Sequence, residues 1–114
     1  MSIDSASREW LTLPEAAARL GVSKGRLGRL LEDRFLLAAR VDGEPRIPVD
    51  FFKGDEPLPG LRGTLILLAD LGVTGDEAMS WLLSEDESLG AAPVDTLQQG
   101  HKSTVRKAIQ LLGL

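Results

Sequence analysis

Apolar residues recur at helical spacing through most of this chain and alternate with polar ones over only one short stretch. In "LTLPEAAARLG" (residues 11–21), Ala16, Ala17 and Leu20 share one helical face. Thr12 is placed to cap that helix, because a threonine oxygen can accept an amide proton that the first turn leaves unpaired. Leu13 and Pro14 suit the first turn, Glu15 complements its positive end, and Gly21 closes it. Ser23 then caps a second helix running to about Asp33, with Leu27, Leu30 and Leu31 as its apolar stripe.

The alternating stretch lies in "LLAARVDGEPRIPVDFF" (residues 36–52). Asp42-Gly43 predicts a two-residue hairpin, since a type I′ turn needs positive φ at both central positions. Neither Pro45 nor Pro48 can donate a ladder hydrogen bond, so the returning strand is expected at a sheet edge, or irregular. Phe51 and Phe52 read as a clasp tying the hairpin onto the helices, and "KGDEPLPGLRG" as a turn-rich connection.

Beyond it the chain reads as helical. "TLILLADLG" is apolar and closes at Gly72; "TGDEAMSWLLSEDES" offers Thr74 or Asp76 as a cap and Ala78, Trp81 and Leu82 as a buried face. Pro93 opens a short helix that Gly100 stops. Val105, Ile109 and Leu112 mark one face of a last helix, with Ala108 and Leu111 beside it. The predicted fold is mainly α with a small β-hairpin wing. Residues 1–9 are read as a polar tail, 10–53 as a winged helix-turn-helix, 54–62 as a linker and 63–114 as a C-terminal helical bundle.

The helix-turn-helix follows from where the small residues fall. Two short helices crossing steeply need one at the contact, which Ala17 supplies, and a left-handed turn residue, which Gly21 supplies. With Leu27 at the centre of the buried side, Gly25, Arg26 and Arg29 face solvent, flanked by Lys24 and Gly28. Arg can bond bidentately to guanine O6 and N7, while Ser23 and the free amides at the helix start can hold a phosphate. Gly25 and Gly28 let the backbone approach a groove wall, each at a cost of about 1 kcal/mol in helix propensity. Arg40 and Arg46, on either side of the hairpin turn, are placed to reach phosphates or an adjacent minor groove. Arg34 completes the candidate DNA-binding set.

Composition narrows the function. At 114 residues and 43% apolar, the chain suits one domain, or a small domain with an extension, around a modest core. A net charge of −4 opposes indiscriminate attraction to polyanions, but the charge is polarised. Basic residues outnumber acidic ones between Gly21 and Lys53, and the balance reverses from Gly63 onward. The absence of cysteine removes disulfides, thiolate metal sites and cysteine nucleophiles. His101 has no second ligand nearby in the sequence, and "SEDES" lacks the alternating ligands and central glycine of a calcium loop. No phosphate-binding glycine loop or nucleophile elbow is present. Neither an enzyme, a cofactor nor a metal is expected. No apolar run approaches the roughly 20 residues of a membrane span, and "MSIDSASREW" lacks a signal peptide's pattern, so the expected location is cytoplasmic, in the nucleoid.

"LTLPEAAARLGVSKGRLGRLLEDRFLLAARVDGEPRIPVDFF" resembles the winged helix-turn-helix of a family of small actinobacterial DNA-binding proteins with a helical C-terminal extension. The more specific part is "VDGEPRIPVDFF" followed by "LRGTLILLADLG"; the "EAA..LGVS" start is shared with MerR-like and excisionase-like winged helices. The resemblance implies double-stranded DNA as partner, and phosphorylation of the N-terminal tail by a serine/threonine kinase. Where the family carries a tail threonine, this tail offers serines, with Ser5 and Ser7 as the candidates. "WLLSEDESLGAAPVDTLQQGHKSTVRKAIQLL" is also similar to the toxin-binding domains of Xre-type antitoxins, which implies the alternative of a protein-interaction module. The apolar C-terminal helices are the natural place for a homodimer contact.

Overall fold

The computed structural model describes residues 8–113. A three-residue strand, β1 (Trp10–Thr12), leads into α1 (Leu13–Leu20) and α2 (Lys24–Glu32). The hairpin β2 (Ala39–Val41) and β3 (Glu44–Pro48) follows, then a single 3-10 turn (Val49–Phe51) and a two-residue ribbon, β4 (Phe52–Lys53) and β5 (Glu56–Pro57). Four helices complete the fold: α3 (Leu61–Asp70), α4 (Gly75–Leu83), α5 (Pro93–Gln98) and α6 (Lys102–Leu112). The architecture is a winged helix followed by a helical bundle.

Local chemistry places the first helix. The Glu15 amide donates to Thr12 Oγ1 at 3.3 Å while the Thr12 amide donates to Glu15 Oε1 at 2.8 Å, a reciprocal capping box. The Thr12 amide holds the Glu15 carboxyl below the usual carboxylate range. This support is therefore complete above the ordinary carboxylate pKa and fades as pH falls through the lowered value.

The hairpin turn has φ of 54° at Asp42 and 81° at Gly43, the two positive values that a type I′ turn requires. The returning strand, however, is central: the sheet order is β1-β3-β2, because Trp10–Thr12 pairs antiparallel with β3. Strand alternation explains how two prolines are tolerated there. Val41 and Glu44 flank the turn as a bonded pair, so Glu44, Arg46 and Pro48 turn their nitrogens toward β2, and Pro45 and Ile47 turn theirs toward β1. The Val49 amide, in the same phase as Pro45, donates to the Glu9 carbonyl at 3.0 Å on the β1 side. Each proline nitrogen thus points past the end of the neighbouring strand, since β1 pairs only with residues 46–48 and β2 only with 44–46.

One apolar cluster runs through both halves of the chain. It joins Ala16, Leu27 and Ile47 of the winged helix to Leu61, Leu68, Met79, Leu82, Val94 and Val105 of the bundle, with Phe51 fully buried between them. The segment read as a linker carries β5 and the buried Leu58. Gln98 of α5 locks the junction: its Nε2 donates to the carbonyls of Asp50 (2.7 Å) and Phe52 (3.0 Å). Arg8 closes the other side, donating to both Asp95 carboxylate oxygens (3.2 and 3.0 Å) and pairing with Asp50 at 3.2 Å. Asp95 holds the Arg8 guanidinium above its ordinary pKa, so it is charged at any working pH. Arg8 and Glu9, the end of the segment read as a tail, are thus held against the fold.

On α4, Ala78, Met79, Ser80 and Leu82 are buried, while Trp81 is half-buried. On α6, Val105, Ala108 and Ile109 are buried, but Leu111 and Leu112 are 56% and 45% exposed, where Leu112 was expected on the inner face. Among the described residues no helix is long and apolar enough to cross a membrane.

Replacing Gln98 by Ala strips two junction carbonyls of their donor. Such a loss typically costs about 1–3 kcal/mol. Chemical denaturation of Gln98→Ala is expected to show that loss in a single transition common to far-UV circular dichroism and tryptophan fluorescence; separate transitions would contradict a shared core.

Candidate nucleic-acid interface

The second helix is held by one side only. Leu27 is its single fully buried residue, with Leu30 and Leu31 half-buried beside it. Lys24, Gly25, Arg26 and Arg29 are exposed on the other side and Gly28 is half-exposed. Ser23 is the N-cap, its Oγ accepting the Arg26 amide at 3.1 Å. The first turn of α2 contains no acidic residue, in contrast to α1 with Glu15. Its positive dipole end is therefore left unneutralised and carries Lys24 and Arg26, which weakens the free helix and favours an anion there. Ser23, Gly25, Arg26 and Arg29 border a shallow concavity on this face.

Lys24, Arg26 and Arg29 make no ion pair among the described residues. Gly25 and Gly28 have no internal reason to be glycine: a methyl group built on either meets nothing within 4 Å.

Arg34 sits just past α2 with φ of 64°, a left-handed conformation that side chains disfavour by about 1–2 kcal/mol. The Phe35 amide donates to the Leu30 carbonyl at 2.9 Å and the Arg34 amide to Leu31 at 3.2 Å, which is a Schellman closure. α1, α3 and α5 end in the same pair of hydrogen bonds with Gly21, Gly72 and Gly100 at the left-handed position. Only α2 uses a charged side chain there.

The wing arginines are more engaged. Arg40 is exposed, and its Nη1 donates to the Gly43 carbonyl across the turn at 2.8 Å. Arg46 is half-buried, pairs with Glu44 at 3.0 Å, and lies near enough to Glu15 to lower that carboxyl further. Two cations outside the expected set are held by long-range contacts, and one of them, Arg62, reaches the end of α2. Arg62 donates to the Asp33 carbonyl at 2.9 Å and stacks over the Phe35 ring at 4.9 Å; Arg19 donates to the Gly54 carbonyl at 2.8 Å and covers Phe52 at 5.1 Å. Both contacts span about thirty residues, beyond the reach of any local pattern. Ser5 and Ser7 lie outside the described residues.

A family model described as "DNA-binding protein Rv2175c, wHTH domain" matches residues 3–52, and one described as "Rv2175c C-terminal domain of unknown function" matches residues 52–113. The chain belongs to the Rv2175c family. A relative in that family, DNA-binding protein Rv2175c of Mycobacterium tuberculosis (strain ATCC 25618 / H37Rv), is 33% identical over 110 residues, covering 84% of this chain and 75% of the relative. The NMR structure of Rv2175c matches with a TM-score of 0.83 at 29% identity, covering 97% of this chain and 86% of that one. The two Rv2175c models meet at Phe52, which is 2% exposed inside the shared core.

Two measurements follow from the helix. Arg34→Gly is expected to raise stability by about 1 kcal/mol in thermal denaturation, whereas Arg34→Ala, which keeps the left-handed strain, is not. Gly25→Ala, Gly28→Ala and, on exposed α3 surface, Gly63→Ala should each stabilise by about 1 kcal/mol. Only the first two are expected to weaken duplex binding, by several-fold; unchanged binding in both would mean that no groove wall comes close to α2.

Proposed function

We propose that this protein binds double-stranded DNA, with α2 in the major groove and the β2–β3 wing along the backbone or the adjacent minor groove. The observation that carries this reading is the row of exposed cations on α2, Lys24, Arg26 and Arg29, without carboxylate partners among the described residues, in a chain whose net charge is −4. Unpaired cations on an acidic protein repel one another and gain by meeting phosphates. Ser23 and the amides of Lys24 and Gly25 would hold phosphate at the helix start, Arg26 and Arg29 would read guanine edges, and Gly25 and Gly28 would allow close approach. Arg34, just past the end of α2, and Arg40, exposed on the wing, would add to the cationic surface. Arg46, already paired with Glu44, contributes chiefly by stiffening the wing. Membership of the Rv2175c family and the name of the mycobacterial relative support the same reading.

Fluorescence anisotropy with a labelled duplex tests it. Binding is expected to weaken steeply with salt, and Arg29→Glu to lower affinity tenfold or more while flattening the salt dependence. Absence of binding at low salt for every duplex tried would end the proposal. Selection from a random pool then separates the two possible roles: a shared sequence among bound duplexes marks a transcriptional regulator, and its absence with retained affinity marks a nucleoid-associated protein.

A further inference from the structure

A broad concavity lies on the bundle, between α4 and the C-terminal end of α6. Its floor is apolar: Val73, Trp81, Ala108, Leu111 and Leu112. Its rim is acidic, with Glu77 on α4 and Glu85, Asp86 and Glu87 in the loop that follows it; among the described residues no Lys or Arg lines it. Asp86 is engaged in shaping that loop, its Oδ1 accepting both the Ser88 amide (2.9 Å) and the Ser88 hydroxyl (2.6 Å). Glu77, Glu85 and Glu87 have no ion-pair partner among the described residues. The groove is thus an apolar trough with unneutralised carboxylates beside it.

The walls define what fits. Glu77, Trp81 and Ser84 lie along one side of α4 and its C-cap, while Ala108, Leu111 and Leu112 lie along α6, at spacings of one helical turn on each wall. A trough between two helices accepts a third, read through side chains at i, i+3, i+4 and i+7. We propose that this groove docks an amphipathic helix of a partner protein, two to three turns long, whose apolar face is flanked by Lys and Arg.

Charge decides against the other occupants. A second copy placed groove to groove would bring both acidic rims together, which like-charge repulsion opposes. Residues 1–7 contain no Lys or Arg to answer the rim. Nucleic acid is repelled outright. A basic helix, by contrast, covers the exposed Leu111 and Leu112 and neutralises Glu77, Glu85 and Glu87 together. The two faces of the molecule then carry separate duties, and this proposal stands or falls independently of DNA binding by α2.

The test uses the full chain carrying Trp10→Phe, so that Trp81 is the sole tryptophan, and three synthetic helical peptides. One has a leucine face with lysine flanks, the second the same face with glutamate flanks, and the third the residues of the first in scrambled order. Saturable binding of the lysine peptide, read by Trp81 emission and by amide shifts along α4 and α6, is expected to be at least tenfold tighter than that of either control. Glu77→Gln with Glu87→Gln should weaken it at least fivefold and leave duplex affinity unchanged. Equal binding of the scrambled or glutamate peptide, no effect of the double variant, or shifts confined to α2 would overturn the proposal. So would a dimer in sedimentation equilibrium that Leu111→Ser dissolves, because a second copy would then be the occupant.

Discussion

The burial of Phe51 at the junction of the two halves, with the Gln98 amide donating to the carbonyls on either side of it, is the constraint on which the rest depends. A bulky side chain with no exposure cannot be left behind by either half, and two backbone carbonyls beside it need a donor that only α5 supplies. The wing is therefore not a flexible appendage on a bundle. Its third strand runs directly into the turn that seats Phe51, so the orientation of β2 and β3 is set by the packing of residues up to sixty positions further along the chain.

That arrangement explains why the arginines have different duties. Those whose reach includes the junction are drawn into it: Arg8 between Asp50 and Asp95, Arg19 over Phe52, Arg62 across the end of α2. Each lays an apolar stem and a planar head on a surface with acceptors to offer, which is the arrangement guanidinium favours. α2 is anchored mainly by Leu27, and among the described residues its far side is exposed, so Lys24, Arg26 and Arg29 remain outward. The bundle shows the opposite polarity, where the unneutralised carboxylates border an apolar groove. A small acidic protein thus separates its surplus charges onto two faces.

Arg34 is the place where local stability and surface chemistry conflict most plainly. Three other helices of the same chain end on glycine in the same hydrogen-bonded closure, so the backbone solution was available. Strain of this kind persists where the surrounding structure over-determines it, and it clusters at functional surfaces. Gly25 and Gly28 show the same conflict inside the helix, since none of the described residues occupies the space their side chains would fill.

The sequence by itself determined what depends on neighbours within a turn or two. Thr12 and Ser23 as caps, Gly21 and Gly72 as helix ends, the Asp42-Gly43 turn and the outward face of α2 all follow from spacing and from the hydrogen-bonding capacity of single residues, and all are legible for that reason. β1 was not, because three residues are too few to show alternation, and without β1 the two prolines of β3 argued for an edge. Only the tertiary structure decided that β3 is central, that the turn-rich segment adds Leu58 to a core shared by both halves, that Arg46 pairs with Glu44 while Arg29 has no ion-pair partner among the described residues, and that α4 and α6 leave a groove between them. Each of these depends on which distant surfaces meet, and contacts across thirty to ninety residues leave no periodic trace in the order of the amino acids.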